Sequence, residues 1–213
     1  MRTLLLASAS PARAATLRAA GLEPLIRVAD LDEDAVLREH ARSRPSDRPA
    51  STVAEAVLML ARAKAEHIAQ APGAATSADR PDVILGCDSL LELDGRALGK
   101  PGTVERATGR WRLMRGRTGV LHTGHWLIGA DGRSVGRVSS TTVHFADLTD
   151  AEIEAYVRTG EPLAVAGAFT IDGLGGAFIT GIEGDHHGVV GISLPLLRTM
   201  LGELGLNWTD FWS

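Results

Sequence analysis

Val83–Pro101, VILGCDSLLELDGRALGKP, is the stretch from which the fold is best predicted. Its long apolar run predicts a buried strand, and Asp94-Gly95 predicts a hairpin turn into a second, short strand. Alternation along the strand places Asp88 on the same face as Gly86, in the middle of the run. A buried carboxylate needs a partner or a polar cleft, so Asp88 is either a structural residue or a functional one. The hairpin folds Lys100 back toward the strand that carries Asp88.

The composition is that of an ordinary globular protein. The 213 residues are 45% hydrophobic and 23% charged, enough for a sizeable core. The net charge of −4 argues against nucleic-acid and membrane-surface binding. The single cysteine, Cys87, excludes an internal disulfide and favours a packed thiol in a reducing cytoplasm. The apolar run Leu4–Ala7 is too short for a signal-peptide core, and no segment reaches the roughly 18 apolar residues of a membrane helix.

The N-terminal segment predicts a strand, a short polar loop and a helix. Leu4–Ala7 is the strand, Ser10 suits the N-cap, and Pro11 suits the first helical position. Free amides at the start of a helix favour an anion, and Ser8, Ser10 and Arg13 would add donors there. The alternative is a plain strand-to-helix connection. If Arg13 only binds an anion, its removal should weaken substrate use and leave the fold intact.

Two further segments carry charged residues that could bind a metal ion or a phosphate. We expect a second strand over Leu22–Val28, followed by the acidic run Asp30–Asp34. Such a run is usually solvated, but its oxygen ligands suit Mg²⁺ if a triphosphate is bound. A capping box at Thr52–Glu55 predicts a helix to about Gln70. Lys64 falls on the apolar stripe of that helix, where it either extends to solvent at the helix edge or points its charge into a cleft.

The remaining motifs are weaker. The Gly-rich segment Ala166–Gly176 has no P-loop spacing and suits a tight turn between strands. A metal site at Asp185-His186-His187 is disfavoured, because adjacent side chains on an extended segment point to opposite faces. Polar composition predicts connecting loops over Arg42–Ala50 and Pro72–Asp82. The other predicted elements are a helix from Thr103 to Met114, a hairpin of Leu121–Gly129 with Ser134–Phe145, a helix from the Thr149–Glu152 capping box to Gly160, and a last helix over Ser193–Gly205.

Taken in order, these motifs resemble the Maf family of cytosolic nucleoside triphosphate pyrophosphatases, from Leu6 to about Leu201. The matching pieces are LASASPAR, the DED cluster, Ala63-Lys64-Ala65, GCDS, GKP, RGRT, GEPL, AGAFTIDGLGG and VVGISLPLL. The resemblance implies an α/β fold, an elongated mixed β-sheet with flanking helices that forms two lobes with a central cleft, in a single domain over residues 1–213. It also implies hydrolysis of a nucleoside triphosphate between its α- and β-phosphates, giving a monophosphate and pyrophosphate.

The resemblance also implies roles for individual residues. Asp88 matches the family's proton acceptor, and Lys64 and Lys100 match its cationic catalytic positions. Glu33 and Asp88 match positions that handle a divalent cation, Mg²⁺ or Mn²⁺. A nucleotide is then the expected partner, and a homodimer stays open. To substrate binding we assign Ser8, Ser10, Arg13, Ser89, Arg117 and Asp172.

The chain departs from the family pattern at four positions, in a way that is similar to an actinobacterial branch. The family usually has an arginine at the position of Ala12, a threonine at Ser89, a histidine at Gly119 and, in many members, a glutamine at Asp172. These changes leave the preferred nucleobase open and spare the residues assigned to chemistry. The alternative function is a nucleotide-binding regulator of cell division that does not hydrolyse its ligand.

Overall fold

The computed structural model describes residues 2–43, 51–71 and 80–212. Much of the two predicted loops, residues 44–50 and 72–79, lies outside these ranges, whereas Arg42 and Ser43 belong to a helix. In chain order the elements are β1 Leu4–Leu6, α1 Pro11–Ala19, β2 Leu25–Ile26, α2 Glu33–Ser43, α3 Val53–Gln70, β3 Val83–Leu93, β4 Arg96–Leu98, α4 Val104–Met114, β5 Thr118–Gly129, β6 Ser134–Phe145, α5 Asp150–Arg158, β7 Ile179–Glu183, α6 His186–Val190 and α7 Leu194–Glu203. Short 3₁₀ helices cover Glu161–Ala164, Ala166–Ala168, Leu174–Phe178 and Trp208–Phe211.

In the described ranges, the strands form one mixed sheet. Its seven strands run in the order β2-β1-β3-β5-β6-β7, with β4 paired to β3. The pairs β1–β2 and β1–β3 are parallel, and β3–β5, β5–β6 and β6–β7 are antiparallel. The predicted mixed sheet with flanking helices is confirmed.

The hairpin of β3 and β4 forms as its sequence predicts. Asp94 and Gly95 both have positive φ, 51° and 73°, which a tight two-residue hairpin turn requires. The capping boxes at Thr52 and Thr149 are both present, and Ser193 caps α7. Local turn and cap signals were therefore sufficient to predict these elements.

Three predictions from the sequence were wrong. The second strand is only Leu25–Ile26, and the acidic run after it leads into a helix, α2, whose first turn favours its acidic residues. The Gly-rich segment is not a turn between two strands, because it contains two 3₁₀ helices. The segment at Asp185 is not extended, since Asp185 caps α6 by accepting from the amides of His187 and Gly188. The reason given against a metal site there therefore fails, although its carboxylate is occupied as the cap.

Helix α3 lies against the sheet at two glycines on neighbouring strands. A Cβ atom on Gly86 of β3 would lie 2.0 Å from the carbonyl oxygen of Ala61, and one on Gly124 of β5 would lie 2.3 Å from that of Val57. Gly86 does leave room on its strand face, and the backbone of α3 fills it. This close approach is what lets Lys64, from the same helix, reach the sheet.

Strand β3 joins two separate hydrophobic clusters. Its first half, including Leu85 and Cys87, packs with β1, α1 and α7, and its last part, including Leu91, packs with α4 and α5. Asp88 and Ser89 lie on the strand between these two parts. The Cys87 thiol is fully buried, and burial raises its pKa to about 12, so it is a packed and unreactive thiol. No helix in the ranges that the structure covers is long and apolar enough to cross a membrane.

His125, on β5 opposite Cys87, is held as a neutral imidazole. Its Nε2 accepts a hydrogen bond from the amide of Ser193 (2.9 Å), so the proton is on Nδ1, which donates to the carbonyl oxygen of Thr123 (3.0 Å). Burial, followed by the charge of Arg13, lowers the pKa of His125 from 6.5 to about 4. Protonation of Nε2 would abolish the bond from Ser193, which begins α7.

We therefore expect the free energy of unfolding to fall as the pH is lowered from about 6.5 to about 4. Above this window both states carry a neutral His125, and inside it only the unfolded chain binds the proton. The shift corresponds to a loss of roughly 3 kcal/mol by the bottom of the window. Urea unfolding at several pH values, with His125→Asn as the matched variant, measures this effect. An equal pH dependence in both proteins would rule His125 out as its cause.

Candidate active site

A cleft of about 440 Å³ opens at the middle of β3. Its walls come from the β1–α1 loop, the start of α2, α3, β3, the segment after β4, the Gly-rich segment and α6. The structure brings nearly all predicted site residues together here: Ser8, Ser10, Arg13, Glu33, Lys64, Asp88, Ser89, Lys100 and Asp172.

Arg117 is the predicted site residue that does not line the cleft. Its guanidinium forms an ion pair with Asp94 in the β3–β4 turn and donates to the carbonyl oxygen of Leu113 (3.2 Å). Its assignment to substrate binding therefore has no support from its position.

At the centre of the cleft, one ammonium group joins two carboxylates. Lys64 Nζ lies 2.5 Å from Asp88 Oδ1 and 2.7 Å from Glu33 Oε1. The side chains of Lys64 and Asp88 are only 12% and 10% exposed, whereas that of Glu33 is 50% exposed. Of the two sequence-based alternatives for Lys64, the structure selects the charge that points into a cleft.

Burial governs the protonation of Asp88. Desolvation raises its pKa above the ordinary value, and the charges of Lys64 and Arg13 act in the opposite direction. A carboxylate whose pKa is raised is a stronger base than an exposed one. Asp88 is therefore paired and placed in a cleft, as a working carboxylate would be.

The same residues fit a divalent cation. One oxygen atom of Glu33 and one of Asp88 lie within hydrogen-bonding distance of the same ammonium group, that of Lys64. A positive charge is therefore already bound between the two carboxylates. Carboxylate oxygens are the preferred protein ligands of Mg²⁺ and suit Mn²⁺ as well. Glu33 and Asp88 are thus the residues that would hold such an ion.

The β1–α1 loop forms the predicted helix start. Ser10 is the N-cap and accepts from the Arg13 amide (3.4 Å), Pro11 is the first helical residue, and the Ser10 amide donates to Ser8 Oγ (3.2 Å). Pro11 has no N–H group, and the amides of Ser10 and Arg13 are bonded within the loop. The Ala12 amide and the positive end of α1 are therefore what this turn presents to the cleft beside both serines. Lys100, which is exposed, adds a further positive charge to the cleft lining.

Arg13 is bound mainly to the protein itself. Its Nε donates to the Gly191 carbonyl oxygen (3.0 Å), and Nη1 donates to the Cys87 carbonyl oxygen (2.9 Å) and to Ser8 Oγ (3.2 Å). Its Nη2 donates to Ser89 Oγ (2.9 Å). Four of the five N–H groups of this buried guanidinium are thus used inside the protein. These bonds argue against the expectation that the fold does not depend on Arg13.

The hydroxyl of Ser89 is also committed to the protein. Thr123 Oγ1 donates its one hydrogen to the Gly188 carbonyl oxygen (2.8 Å). Because Thr123 has no other hydrogen to give, Ser89 must be the donor in the 2.9 Å bond between the two hydroxyls. Ser89 therefore has only lone pairs to offer, one of them already bonded to Arg13, and it cannot donate to a phosphate in this arrangement.

Sequence reasoning gave no role to Glu161, which organises the cleft wall carrying Asp172. Its carboxylate accepts from Tyr156 Oη (2.9 Å), Thr170 Oγ1 (2.5 Å) and the amides of Leu174 and Gly175 (3.0 Å each). Desolvation alone would raise the pKa of Glu161, but these hydrogen bonds outweigh it and lower the pKa. The GEPL motif marked this residue, yet its partners become neighbours only in the folded chain.

Comparison with known proteins gives close full-length relatives. A nucleoside triphosphate pyrophosphatase of Streptomyces coelicolor is 50% identical, over 100% of this chain and 95% of the relative. Proteins of the same name from Nocardia farcinica and Cutibacterium acnes are 50% and 51% identical, over 99% and 98% of this chain and 96% and 93% of the relatives. These actinobacterial sources confirm the predicted branch.

Solved structures with a similar arrangement are more distant. A Ham1 protein of Staphylococcus aureus has a TM-score of 0.46 at 13% identity, over 95% of this chain and 100% of that chain. A HAM1 protein of Coxiella burnetii has a TM-score of 0.45 at 17% identity, over the same shares of both chains.

The family profile settles the sequence resemblance. The profile of the Maf-like protein family matches residues 3–204, which include every residue of the cleft lining. The chain therefore belongs to the Maf-like protein family.

Proposed function

We propose that this chain hydrolyses nucleoside triphosphates between the α- and β-phosphates, releasing a nucleoside monophosphate and pyrophosphate. The observation that carries the proposal is the cluster of Asp88, Lys64 and Glu33 in a cleft whose rim is an anion-favouring helix start. The name shared by the relatives, nucleoside triphosphate pyrophosphatase, supports the same reaction.

Each part of the cluster has a task in this reaction. Asp88 accepts the proton of the water that adds across the anhydride, because a buried carboxylate with a raised pKa is a suitable general base. Lys64 and Lys100 offset the negative charge of the phosphates, and the Ala12 amide at the positive end of α1 donates to one anionic group. A Mg²⁺ or Mn²⁺ ion held by Glu33 and Asp88 would supply further charge neutralisation on the phosphate oxygens.

The walls of the cleft suit the rest of a nucleotide. Phe169 and Ile171 give an apolar surface, and Asp172 of the same segment presents a carboxylate that can accept from a base or a ribose. Glu161 fixes the backbone of this segment, so the recognition surface is formed in advance.

Product analysis tests the assigned bond. With Mg²⁺ or Mn²⁺ and a panel of nucleotides, we expect equimolar monophosphate and pyrophosphate from the accepted substrate. A β,γ-methylene analogue of that substrate should still be cleaved, whereas an α,β-methylene analogue should bind and persist. Release of nucleoside diphosphate and orthophosphate would show that the bond between the β- and γ-phosphates is cleaved, and would overturn the assigned bond. Nucleotide binding with no turnover across the panel would favour the regulatory alternative instead.

A further inference from the structure

Lys64 occupies the place between the two carboxylates to which cation binding is assigned. Its Nζ lies 2.7 Å from Glu33 Oε1 and 2.5 Å from Asp88 Oδ1, so one ammonium bridges both groups. We propose that Lys64 is an internal substitute for the divalent cation: it holds the two carboxylates together in the metal-free protein and leaves them for the substrate phosphates when the cation binds. This inference rests on the proposed function, in which the cation and a triphosphate share the cleft.

The distances make the exchange possible with little movement. Mg²⁺–oxygen bonds are about 2.1 Å long, so the two carboxylate oxygens need to approach the shared point by only about 0.5 Å. The ammonium and a divalent ion cannot occupy that point together, since both are positively charged and both need the same two carboxylate oxygens. Lys64 must therefore move for Glu33 and Asp88 to act as ligands of one ion.

The fold restricts this movement to the side chain. Helix α3 is held against β3 and β5 at Gly86 and Gly124, where its backbone already fills the available space. The flexible four-carbon stem of Lys64 can still turn its charge toward a ligand. The cleft that contains Lys64 also contains Lys100 and the start of α1, where phosphates are favoured.

The charges of the cluster favour exchange once both ligands are present. Two carboxylates and one ammonium sum to −1, and a divalent ion in place of the ammonium neutralises the carboxylates completely. The displaced ammonium then pairs with phosphate. Cation and nucleotide should therefore each increase the affinity of the protein for the other, and Lys64 should carry part of this coupling.

Mn²⁺ binding to the full chain tests the exchange without measuring turnover. Free Mn²⁺ is followed by electron paramagnetic resonance, with and without an uncleavable α,β-methylene nucleoside triphosphate. In the absence of nucleotide, we expect Lys64→Met to bind Mn²⁺ about tenfold more tightly than the original protein, because no charge-assisted hydrogen bonds must be broken. The increase in Mn²⁺ affinity caused by the nucleotide analogue should shrink in the same variant.

Lys100→Met is the matched control, since it removes the same charge from the same cleft without a contact to either carboxylate. It should weaken binding of the analogue and leave Mn²⁺ affinity without nucleotide unchanged. Glu33→Gln, at a half-exposed position, should weaken Mn²⁺ binding because one ligand is lost.

Unchanged or weaker Mn²⁺ binding by a folded Lys64→Met protein would overturn the exchange. If pyrophosphate release by the original protein still requires Mn²⁺ in that case, the proposed function stands and only the exchange is wrong. If no variant binds Mn²⁺ with or without the analogue, both the exchange and the metal requirement are wrong. A melting curve of each variant, compared with that of the original protein, establishes that the variant is folded.

Discussion

Replacing Asp88 by asparagine is expected to lower kcat roughly a hundredfold to ten-thousandfold while nucleotide binding, measured without a divalent cation, survives. Asparagine keeps the size and shape of the side chain but cannot accept the proton of the attacking water. The cations that face the phosphates, Lys64 and Lys100, remain in place. Single-turnover kinetics and equilibrium binding of an uncleavable nucleotide measure the two effects separately.

Thermal stability separates a catalytic role of Asp88 from a structural one. Desolvation disfavours the charged form of Asp88, and asparagine keeps an oxygen that can accept from Lys64 Nζ, so the loss of the ion pair should change the melting temperature only slightly. Asp131→Asn is the matched control, because Asp131 lies in the β5–β6 turn and pairs with Arg133 outside the cleft lining. A variant at Asp88 that melts lower but turns over within a few-fold of the original rate would show a structural carboxylate and overturn the assigned base.

Those parts of the fold that depend on local signals could be predicted from the sequence. Helices α3 and α5 begin where their capping boxes indicate, and the β3–β4 turn forms at Asp94-Gly95. Strand β2 was predicted too long because its length depends on pairing with β1, which no local pattern contains. Helix α2 was missed because its acidic start was interpreted as a solvated run or a set of Mg²⁺ ligands and not as a helix start.

The site could be predicted as a set of residues but not as an arrangement. Lys64 and Asp88 are 24 positions apart, and only the packing of α3 on Gly86 decides that the ammonium reaches the carboxylate. Arg13 looked like a free cation near a helix start, yet its Nε partner, Gly191, is 178 positions away. The order of the motifs was sufficient to predict the family. The hydrogen-bond and ion-pair partners of each charged side chain could be identified only in the folded chain.

Replacing Arg13 by alanine is expected to lower the free energy of unfolding by about 3–5 kcal/mol, since each buried acceptor left without a donor costs about 1–3 kcal/mol. The carbonyl oxygens of Cys87 and Gly191 would lose their bonds from the guanidinium, and both residues are buried. Arg13→Lys should recover little of the loss, because an ammonium cannot reproduce the planar fork that reaches several acceptors. Urea unfolding measures the difference.

Arg18→Ala is the control for this change, because it removes an arginine from the same helix at a half-exposed position that pairs with Glu23 on the surface. A surface pair of this kind contributes at most about 1 kcal/mol, so the control should remain close to the original stability. If Arg13→Ala keeps its stability and instead raises KM for the nucleotide, the guanidinium serves the phosphates, as the family resemblance implies. If Arg13 instead joins α1 to β3 and to the turn before α7 through its hydrogen bonds, the variant should lose much stability, and saturating nucleotide should not restore it to the level of the control.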